Sequence, residues 1–566
     1  MHTATAAAQR QALPSEVIYW LFRESLNAGI MQLWNTREIL RWGSPPTTLV
    51  DMLNDCRLRC NRRSTNGPSN RIARLTVMRA AFALATLLST TAIVAQPAMI
   101  APAPIAPAEF AARRDSLAAR IDSGVMIAYG GRTLVHDFST FYQLTAFHYL
   151  TNLDEPDAVY VMVVRKKRGE STLFLTPLDG RTAFYYGQRA DSTISQKLYG
   201  IRGRSFSALS GVLDSLAKTG LPFYNVADVE DMDFARADTL TRGQEAIKSL
   251  TKENPTLLIL NAMPMLLQLR AHKSAAEFAL IRQAAAISAE GHRAAMLTAN
   301  PLHEYDLRAA LEFEFTRRGA ERPAYGSIVG AGINGTQLHY MKDGDPVKKG
   351  DLVVMDAAAE YHGYAADITR TIPTSGTFTK EQKQIYQLVR DAQAAAERNS
   401  KAGMKISAAS DSSVVIRAKG LAALGLIESV DASFDPPWTV NCERTPAACK
   451  QSNLWMIHGI SHGLGLAVHD PIQGQPGDGL FHEGDAFTIE PGIYVGTRAL
   501  DVLPDTPKNR AFIAKVRSAV LKYQNTGVRI EDDYILTDKG LERISMVPRE
   551  IDEIEALMKR RSAVQP

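Results

Sequence analysis

Two short apolar segments in the C-terminal half of this 566-residue chain each end on a carboxylate. Four apolar residues follow Gly350-Asp and lead to Asp356, and a similar segment after Gly484-Asp leads to Glu490 at the same offset. Segments of this length and composition predict buried strands. Because burying an unpaired carboxylate is costly, each acid needs hydrogen-bond donors or a cation. The matched pair also indicates an internally duplicated unit.

The surroundings of the two segments favour the same interpretation. Each predicted strand follows two stretches with helical periodicity and is followed by a returning strand. Ahead of the first, a capping box at Ser274 and Glu277 predicts a helix to about Thr298, and a second helix is predicted over 304–318. We therefore expect a domain over residues 270–555 built from two helix-helix-hairpin halves that deliver acids to one centre.

Two further acids lie in apolar, strand-like contexts. These are Asp367 in AADIT and Glu531 in GVRIEDDY. Asp356 and Asp367 bracket the segment AAAEYHGYAA, so a hairpin would place them on neighbouring strands. One such acid is typically a structural hydrogen-bonding group. Four of them predict a metal site, because carboxylates directed at one point repel each other unless cations compensate.

Histidines cluster beside these acids. His458, His462 and His469 occur within twelve positions in HGISHGLGLAVHD, and His339 occurs in NGTQLHY. An isolated histidine is most often structural. Three together, next to acid-bearing strands, indicate metal binding or proton transfer.

In their order along the chain, these motifs resemble those of the pita-bread metallopeptidases, specifically aminopeptidase P and prolidase. The motifs are HY, MDAAAEYHGYAADITRT, HGISHGLGLAVHD, TIEPGIY and GVRIEDD, and the resemblance covers about residues 274–550. Upstream, RRDSL and FHYLTNLDEPDA resemble the domain that precedes the catalytic domain in that family. The resemblance implies an α/β (α+β) protein with a pita-bread catalytic domain. A smaller creatinase-like α/β domain over residues 110–260 would precede it.

The resemblance further implies that five side chains hold two divalent metal ions. They are Asp356, Asp367, His462, Glu490 and Glu531. Oxygen ligands with one imidazole suit manganese, with cobalt, iron or zinc as alternatives. By the same resemblance, His458, Glu490 and His339 are implied to be catalytic. Substrate contacts are implied for His339, His469 and Arg529, with Arg529 also supporting the cluster.

These implied roles fit hydrolysis of a peptide bond. A pair of cations lowers the pKa of water enough for attack on an amide, and Glu490 would take the proton. His458 and His339 would stabilise the oxyanion and the departing nitrogen. The expected activity is that of a Xaa-Pro aminopeptidase, acting on peptides with proline as second residue. A homodimer or homotetramer is expected from the resemblance.

Other interpretations remain open at this point. A Xaa-Pro dipeptidase (prolidase) would share the fold and the metals. A metal-free creatinase-like hydrolase or a binding module would keep the fold alone, but the presence of all five ligand positions argues against either. A methionine aminopeptidase would lack the N-terminal domain. The chain also departs from the family pattern at Gly463, at Ala467 and in a longer segment between Glu490 and Glu531, which bears on the substrate channel.

The first 77 residues hold ten arginines and five acids, whereas the formal charge of the whole chain is +4. The remainder is therefore close to neutral, and no nucleic-acid partner is expected. Apolar content of 45% and charged content of 22% are typical of a soluble globular enzyme.

A signal peptide is predicted from Met78. A basic residue, an apolar run over 80–95 and a small-residue cleavage site are followed by an Ala/Pro tract. The run is short for a stable membrane span. We expect residues 1–77 to be a non-native or disordered leader, 78–96 a signal peptide and 97–109 a linker, with export to the periplasm or medium. Cys442 and Cys449 could then form a local disulfide, and the rival zinc site lacks a second cysteine pair.

Overall fold

The computed structural model describes residues 101–133, 140–226 and 241–563. The predicted leader, the predicted signal peptide and the start of the Ala/Pro linker lie outside the described residues. Among the residues that are described, no helix combines the length and apolar character that a membrane crossing requires.

The N-terminal domain is built on one mixed sheet. Its six strands are β1 (Ser123–Tyr129), β2 (Val159–Arg165), β3 (Arg168–Leu175), β4 (Arg202–Ser205), β5 (Phe223–Val226) and β6 (Ile259–Asn261). They are ordered β4-β3-β2-β1-β5-β6, with antiparallel pairing around β2 and parallel pairing on both sides. Val125, Ile127, Val161 and Phe223 bury one face of the sheet. The segments 124–131, 158–164 and 171–177, which the sequence pattern predicts as strands, correspond to β1, β2 and β3.

Helices surround this sheet. They are α1 (Pro107–Ala118), α2 (Thr145–Thr151), α3 (Gly180–Tyr186), α4 (Ser195–Tyr199), α5 (Leu209–Ala217), α6 (Arg242–Glu253) and α7 (Met263–Arg270). The amphipathic segment FAARRDSLAAR predicts a helix from Phe110, and α1 begins three residues earlier, inside the expected linker. Pro107 is tolerated there because the first turn of a helix leaves its N–H groups without partners in any case.

The C-terminal domain has two helix pairs that each precede a hairpin. The helices are α8 (Ala275–Leu297), α9 (Glu304–Arg317), α10 (Lys380–Arg398), α11 (Ile406–Ala423), α12 (Thr497–Asp501), α13 (Pro507–Tyr523) and α14 (Ile551–Met558). The capping box predicted at Ser274 and Glu277 is formed. Gly319, which follows the second helix, has φ +91°, as the predicted helix end requires.

The strands of this domain fall into small sheets. They are β7 (Arg322–Pro323), β8 (Ile328–Ala331), β9 (Leu352–Asp356), β10 (Ala359–Tyr361), β11 (Tyr364–Ala365), β12 (Thr369–Pro373), β13 (Ala486–Ile489), β14 (Gly492–Val495), β15 (Thr526–Arg529), β16 (Asp532–Thr537) and β17 (Gly540–Arg543). The sheets are β12-β9-β8, β11-β10-β7, β13-β16-β17 and β14-β15.

Each half contains a hairpin whose pairing is interrupted near its middle. In the first half, β9 pairs with β12 up to the partners Asp356 and Thr369, and pairing resumes between β10 and β11. In the second half, β13 pairs with β16 as far as Ile489 and Asp532, and pairing resumes between β14 and β15. We call these two interruptions the first and second hairpin openings. The predicted duplication is therefore present, with the acids at or beside both openings.

The second half carries the enlarged segments noted in the sequence. The segment between Glu490 and Glu531 contains α12 and α13. Cys442 and Cys449 form a disulfide with their Cα atoms 5.7 Å apart, so the local-disulfide prediction is confirmed. Phe487 and Tyr534 pack with Ile460 and Ile472 in one apolar cluster, which seats the histidine-bearing loop against β13 and β16.

Candidate metal centre

The five predicted ligands converge where the two hairpin openings meet. Asp367, His462 and Glu531 each offer one ligand atom, and these atoms lie within 4.8 Å of one another. Oε1 of Glu490 lies 3.8 Å from Nε2 of His462. Asp356 adjoins Asp367 through a shared tyrosine partner. Residues separated by up to 175 positions in the sequence thus form one cluster.

Tyr325 joins the two aspartates of the first opening. Its hydroxyl oxygen lies 2.6 Å from Oδ1 of Asp356 and 2.6 Å from Oδ1 of Asp367. A hydroxyl has one proton to donate, so this bond orients both acids without neutralising them. On its other side, Asp356 accepts a hydrogen bond from Nη2 of Arg529, which comes from the second half.

His462 lies on a loop that runs beside β13, where the backbone N–H of Thr488 donates to the His462 carbonyl at 2.9 Å. Its Nδ1 lies 3.0 Å from the carbonyl oxygen of Gly463, so this nitrogen carries the proton when the ring is neutral. In the neutral ring, Nε2 then carries no proton and faces the acidic side chains. It lies 3.4 Å from Oδ2 of Asp367 and 3.8 Å from Oε1 of Glu531.

The charges of this cluster are unbalanced when only protein groups are counted. Burial raises the pKa of Glu490 to about 7, and burial together with repulsion from its neighbours raises the pKa of Glu531 well above its ordinary value. Burial also raises the pKa of Asp356 against the opposing effect of Arg529. Burial alone would lower the pKa of His462, but the carboxylates around it raise that pKa to about 9. The cluster therefore holds surplus negative charge.

This donor set fits a pair of divalent cations. Two such cations carry a charge that matches four carboxylates, so the acids can all be ionised in a buried site. Four oxygen donors and one imidazole suit borderline to hard divalent metals. The hydrogen bonds to Asp356, Asp367 and His462 provide the outer layer that fixes ligand orientation in metal sites.

A chain of hydrogen bonds runs from Arg529 to His458. Nδ1 of His458 lies 2.6 Å from the Gly459 carbonyl, so this nitrogen is the protonated one and Nε2 is an acceptor. The Tyr494 hydroxyl, 2.8 Å from Nε2, donates to it and accepts from Nη1 of Arg529 at 2.9 Å. Burial and the Arg529 charge lower the pKa of His458 to about 3, so this imidazole is neutral. Its Nδ1 also lies 3.5 Å from Oε2 of Glu490.

The other predicted site residues lie around this cluster. The ring of His469 is 4.3 Å from that of His462, centroid to centroid, and His469 is exposed. His339 is also exposed, and its charge contributes to the lowered pKa of His458. Arg529 is only 4% exposed, and its Nε atom bonds Thr369 at 3.0 Å. All three of its nitrogens therefore bond within the cluster.

Sequence reasoning missed three side chains that the structure places in the centre. Tyr325 carried no pattern that we could use. Thr369 donates to Oε2 of Glu531 at 2.7 Å, and its position two residues after Asp367 on an extended segment could have indicated a shared face. Tyr494 ends the motif TIEPGIY, and a buried tyrosine hydroxyl needs a partner.

Two family models match this chain. Residues 279–538 match metallopeptidase family M24, and residues 110–221 match the N-terminal domain of aminopeptidase P. Among curated relatives, the Xaa-Pro aminopeptidase of Escherichia coli (strain K12) is 31% identical over 462 residues, which cover 80% of this chain and 97% of the relative. The Xaa-Pro aminopeptidase of Haemophilus influenzae is 33% identical over 423 residues, 74% of this chain and 88% of the relative.

Solved structures give the same result. Zn-substituted E. coli aminopeptidase P in complex with product superposes with a TM-score of 0.66 at 29% sequence identity. The match covers 81% of this chain and 99% of that structure. A structure of the E. coli enzyme with the inhibitor Pro-Leu has the same TM-score at 30% identity. The two-domain architecture and the pita-bread catalytic fold are thus shared.

Proposed function

This chain belongs to the aminopeptidase P family of metallopeptidases, and from that premise we propose that it is a Xaa-Pro aminopeptidase. Such an enzyme hydrolyses the peptide bond between an N-terminal residue and a following proline. The observation that carries the proposal is the convergence of one imidazole and four carboxylates from two hairpin openings. Their surplus negative charge is what a dinuclear metallohydrolase requires.

The roles of the ligand residues follow from their positions. Asp356, Asp367, His462, Glu490 and Glu531 would hold two divalent cations. When bound, such a pair supplies a water of lowered pKa and stabilises charge on the carbonyl under attack. Glu490 lies on the His458 side of the cluster and would take the proton from the attacking water. Glu531 and Asp367 lie on the His462 side and would remain ionised as ligands.

His458 and its partners prepare the site for the substrate carbonyl. The neutral imidazole of His458 would donate its Nδ1 proton to an oxyanion, without a full charge of its own, once that proton exchanges the Gly459 carbonyl for the substrate oxygen. Tyr494 and Arg529 hold the ring from the other side. Since Arg529 bonds only within the cluster, we infer that it acts on substrate through Tyr494 and Asp356. His469 and His339 are exposed and would contact the peptide directly.

The test is hydrolysis of three matched peptides by the purified chain, first with manganese and then with a chelator. We expect release of the N-terminal residue from Xaa-Pro-Yaa and none from Xaa-Ala-Yaa, with activity lost on chelation and recovered on readdition of metal. Cleavage of Xaa-Pro but not of Xaa-Pro-Yaa would establish the dipeptidase alternative. Full activity of a protein shown to be metal-free would refute the metal-dependent mechanism.

We propose manganese as the physiological metal, because the donor set is mostly oxygen with one nitrogen. Reconstitution of metal-depleted protein with manganese, cobalt, iron or zinc tests this. The expected result is the highest kcat/KM with manganese. A higher value with another of these metals would contradict the assignment.

We also propose that the chain forms a homodimer or homotetramer. Helix α3 exposes Phe184, Tyr185 and Tyr186, at 89%, 70% and 67%. A contiguous aromatic patch of this kind is typical of a protein contact surface. Light scattering coupled to size exclusion should give a mass above one chain. The Phe184→Ser/Tyr185→Ser variant should shift that mass towards the monomer.

Export through a signal peptide starting at Met78 remains part of the proposal. The Cys442–Cys449 disulfide supports it, because such bonds persist in oxidising compartments. Mass spectrometry of the mature protein made in its source cells should find the N-terminus near residue 97. An intact peptide from residues 1–77 would contradict the proposal.

A further inference from the structure

A buried ion triad lies immediately next to the substrate-facing histidine. Asp470 follows His469, and its carboxylate accepts from both Nε, at 3.1 Å, and Nη2 of Arg270. Its other oxygen lies 2.9 Å from Nζ of Lys273. The three side chains are between 1% and 2% exposed. Lys273 also acts electrostatically on Asp485, the acid at the start of the second strand segment.

The two cations come from the connection between the domains. Arg270 ends α7, the last helix before the catalytic domain, and Lys273 precedes Ser274, the first residue of the α8 capping box. This connection is also fixed to the start of the N-terminal domain, because Oγ of Ser274 donates to Oε1 of Glu109 on α1 at 2.8 Å. Asp470 lies about 200 residues further along the chain. The triad therefore ties the interdomain connection to the histidine loop.

Asp470 is also the residue on which the histidine loop closes. Its backbone N–H donates to the carbonyl of Gly463 at 3.0 Å, and Lys273 donates to the carbonyl of Pro471 at 2.7 Å. A Cβ atom on Gly463 would lie 2.0 Å from the Asp470 carbonyl oxygen, and one on Gly465 would lie 2.3 Å from its carboxylate. At both positions a side chain would clash with Asp470 unless the loop moved, so glycine allows this close approach.

We propose that Arg270 and Lys273 are positioning residues for substrate binding, which hold Asp470 and thereby fix the ring of His469 beside His462. A buried ion group adds little or nothing to stability compared with well-packed apolar side chains, so stability alone does not account for this one. Asp470, which the triad anchors, directly follows His469, the histidine that would contact the peptide. The inference rests on the proposed function for the role of His469.

The test is a double-mutant cycle between Lys273→Met and His469→Ala. The measurements are KM and kcat for Xaa-Pro-Yaa and the dissociation constant of a Pro-Leu dipeptide by calorimetry. We expect Lys273→Met to raise KM and the dissociation constant about 10-fold. This is the size of effect expected when a side chain that orients a functional histidine indirectly is removed. Because the effect acts through His469, the same substitution should change both values less than about twofold when His469 is already alanine.

Two further variants keep the test specific. Lys383→Met removes a lysine–carboxylate pair with the same separation, since Nζ lies 2.9 Å from Glu555, but with a lysine that is 42% exposed, and it should leave KM unchanged. If Lys273→Met does not fold, Asp470→Asn keeps the size of the side chain and should show the same dependence on His469. Metal content and melting temperature are measured for every variant.

Two results would overturn the inference. One is that the effects of the two substitutions multiply, and the other is that the raised KM is accounted for by lost metal. A wild-type protein that cleaves no Xaa-Pro-Yaa peptide would instead refute the proposed function. In that case the calorimetric cycle still measures whether Lys273 acts through His469.

Discussion

The two hairpins of the catalytic domain share one plan but leave their acids in different electrostatic states. In the first opening, Tyr325 contacts both aspartates, and although burial raises the pKa of Asp367, the His462 and Tyr325 partners hold it below its ordinary value. In the second opening, Glu490 and Glu531 have raised pKa values. Asp356 of the first opening also has a raised pKa, and the histidine that lowers the pKa of Asp367 belongs to the second half. In the first half one of the two acids is therefore compensated by protein groups, whereas in the second half both acids depend on cations.

The halves also exchange support. Arg529 of the second half bonds Asp356 of the first, and Thr369 of the first half bonds Glu531 of the second. The backbone N–H of Asp367 donates to the carboxylate of Asp533 at 3.2 Å. Neither hairpin therefore orients its acids alone. Within the centre, each copy of the duplicated unit supplies hydrogen-bond partners to the acids of the other copy.

The test with the largest expected effect removes one predicted ligand acid from each half. Asp367→Asn and Glu531→Gln should each lower kcat/KM by roughly 10³-fold or more, because each removes a charge that holds the centre on which transition-state stabilisation depends. Metal content measured by plasma mass spectrometry should fall in both variants. Asp538→Asn, an exposed acid after β16, is the control. A large loss in only one of the two ligand variants would show that the halves are not equivalent.

The dependence of the second half on cations can be tested through pH. In chelated protein, the raised pKa of Glu490 contributes stability below about pH 4.5 that is lost as pH rises towards 7. The raised pKa of His462 contributes stability below about pH 6.5 that is lost towards pH 9. The contribution of Glu490 to the free energy of unfolding is on the order of 3 kcal/mol.

Metal-loaded protein should not show this loss, because cations replace the protons. The difference in unfolding free energy between loaded and chelated protein should therefore grow from pH 4.5 to 9, measured by denaturant titration. Glu490→Gln should remove the part of this growth that falls below pH 7. A difference that is constant with pH would contradict the account.

The exchange of support between the halves predicts a smaller effect. Arg529→Met should reduce kcat/KM towards 100-fold and Thr369→Val about 10-fold, the range found when partners of metal ligands are removed. Thr537→Val is the matched control and should keep wild-type activity, because the hydroxyl it removes donates to the Gly540 carbonyl and accepts from the Lys539 N–H, both in the turn between β16 and β17. If the two halves were independent, Thr369→Val would change kcat/KM no more than the control substitution does.

Much of this centre could be predicted from the sequence, because its ligands lie in short motifs with strong local patterns. Asp356 and Glu490 end apolar strands, and the capping box at Ser274 shows where a helix begins. The exchange of support could not be predicted, since no local pattern links Thr369 to Glu531 across 162 positions. The same holds for Lys273 and Asp470, whose contact depends on how the two domains pack. Buried partners distant in sequence are fixed by tertiary structure alone.

The smallest expected effect concerns the disulfide, a feature of the second half. The Cys442–Cys449 bond closes a loop with a sequence separation of 7, and closing so short a loop stabilises it by about 2 kcal/mol. The Cys442→Ala/Cys449→Ala variant should lose this stability locally, seen as faster hydrogen exchange over residues 433–450. Activity should change less than about twofold, as expected for changes away from the site. Reduction of the wild-type protein should match the variant. A large loss of activity would show that this segment shapes the substrate channel and that the second half has gained a function the first half lacks.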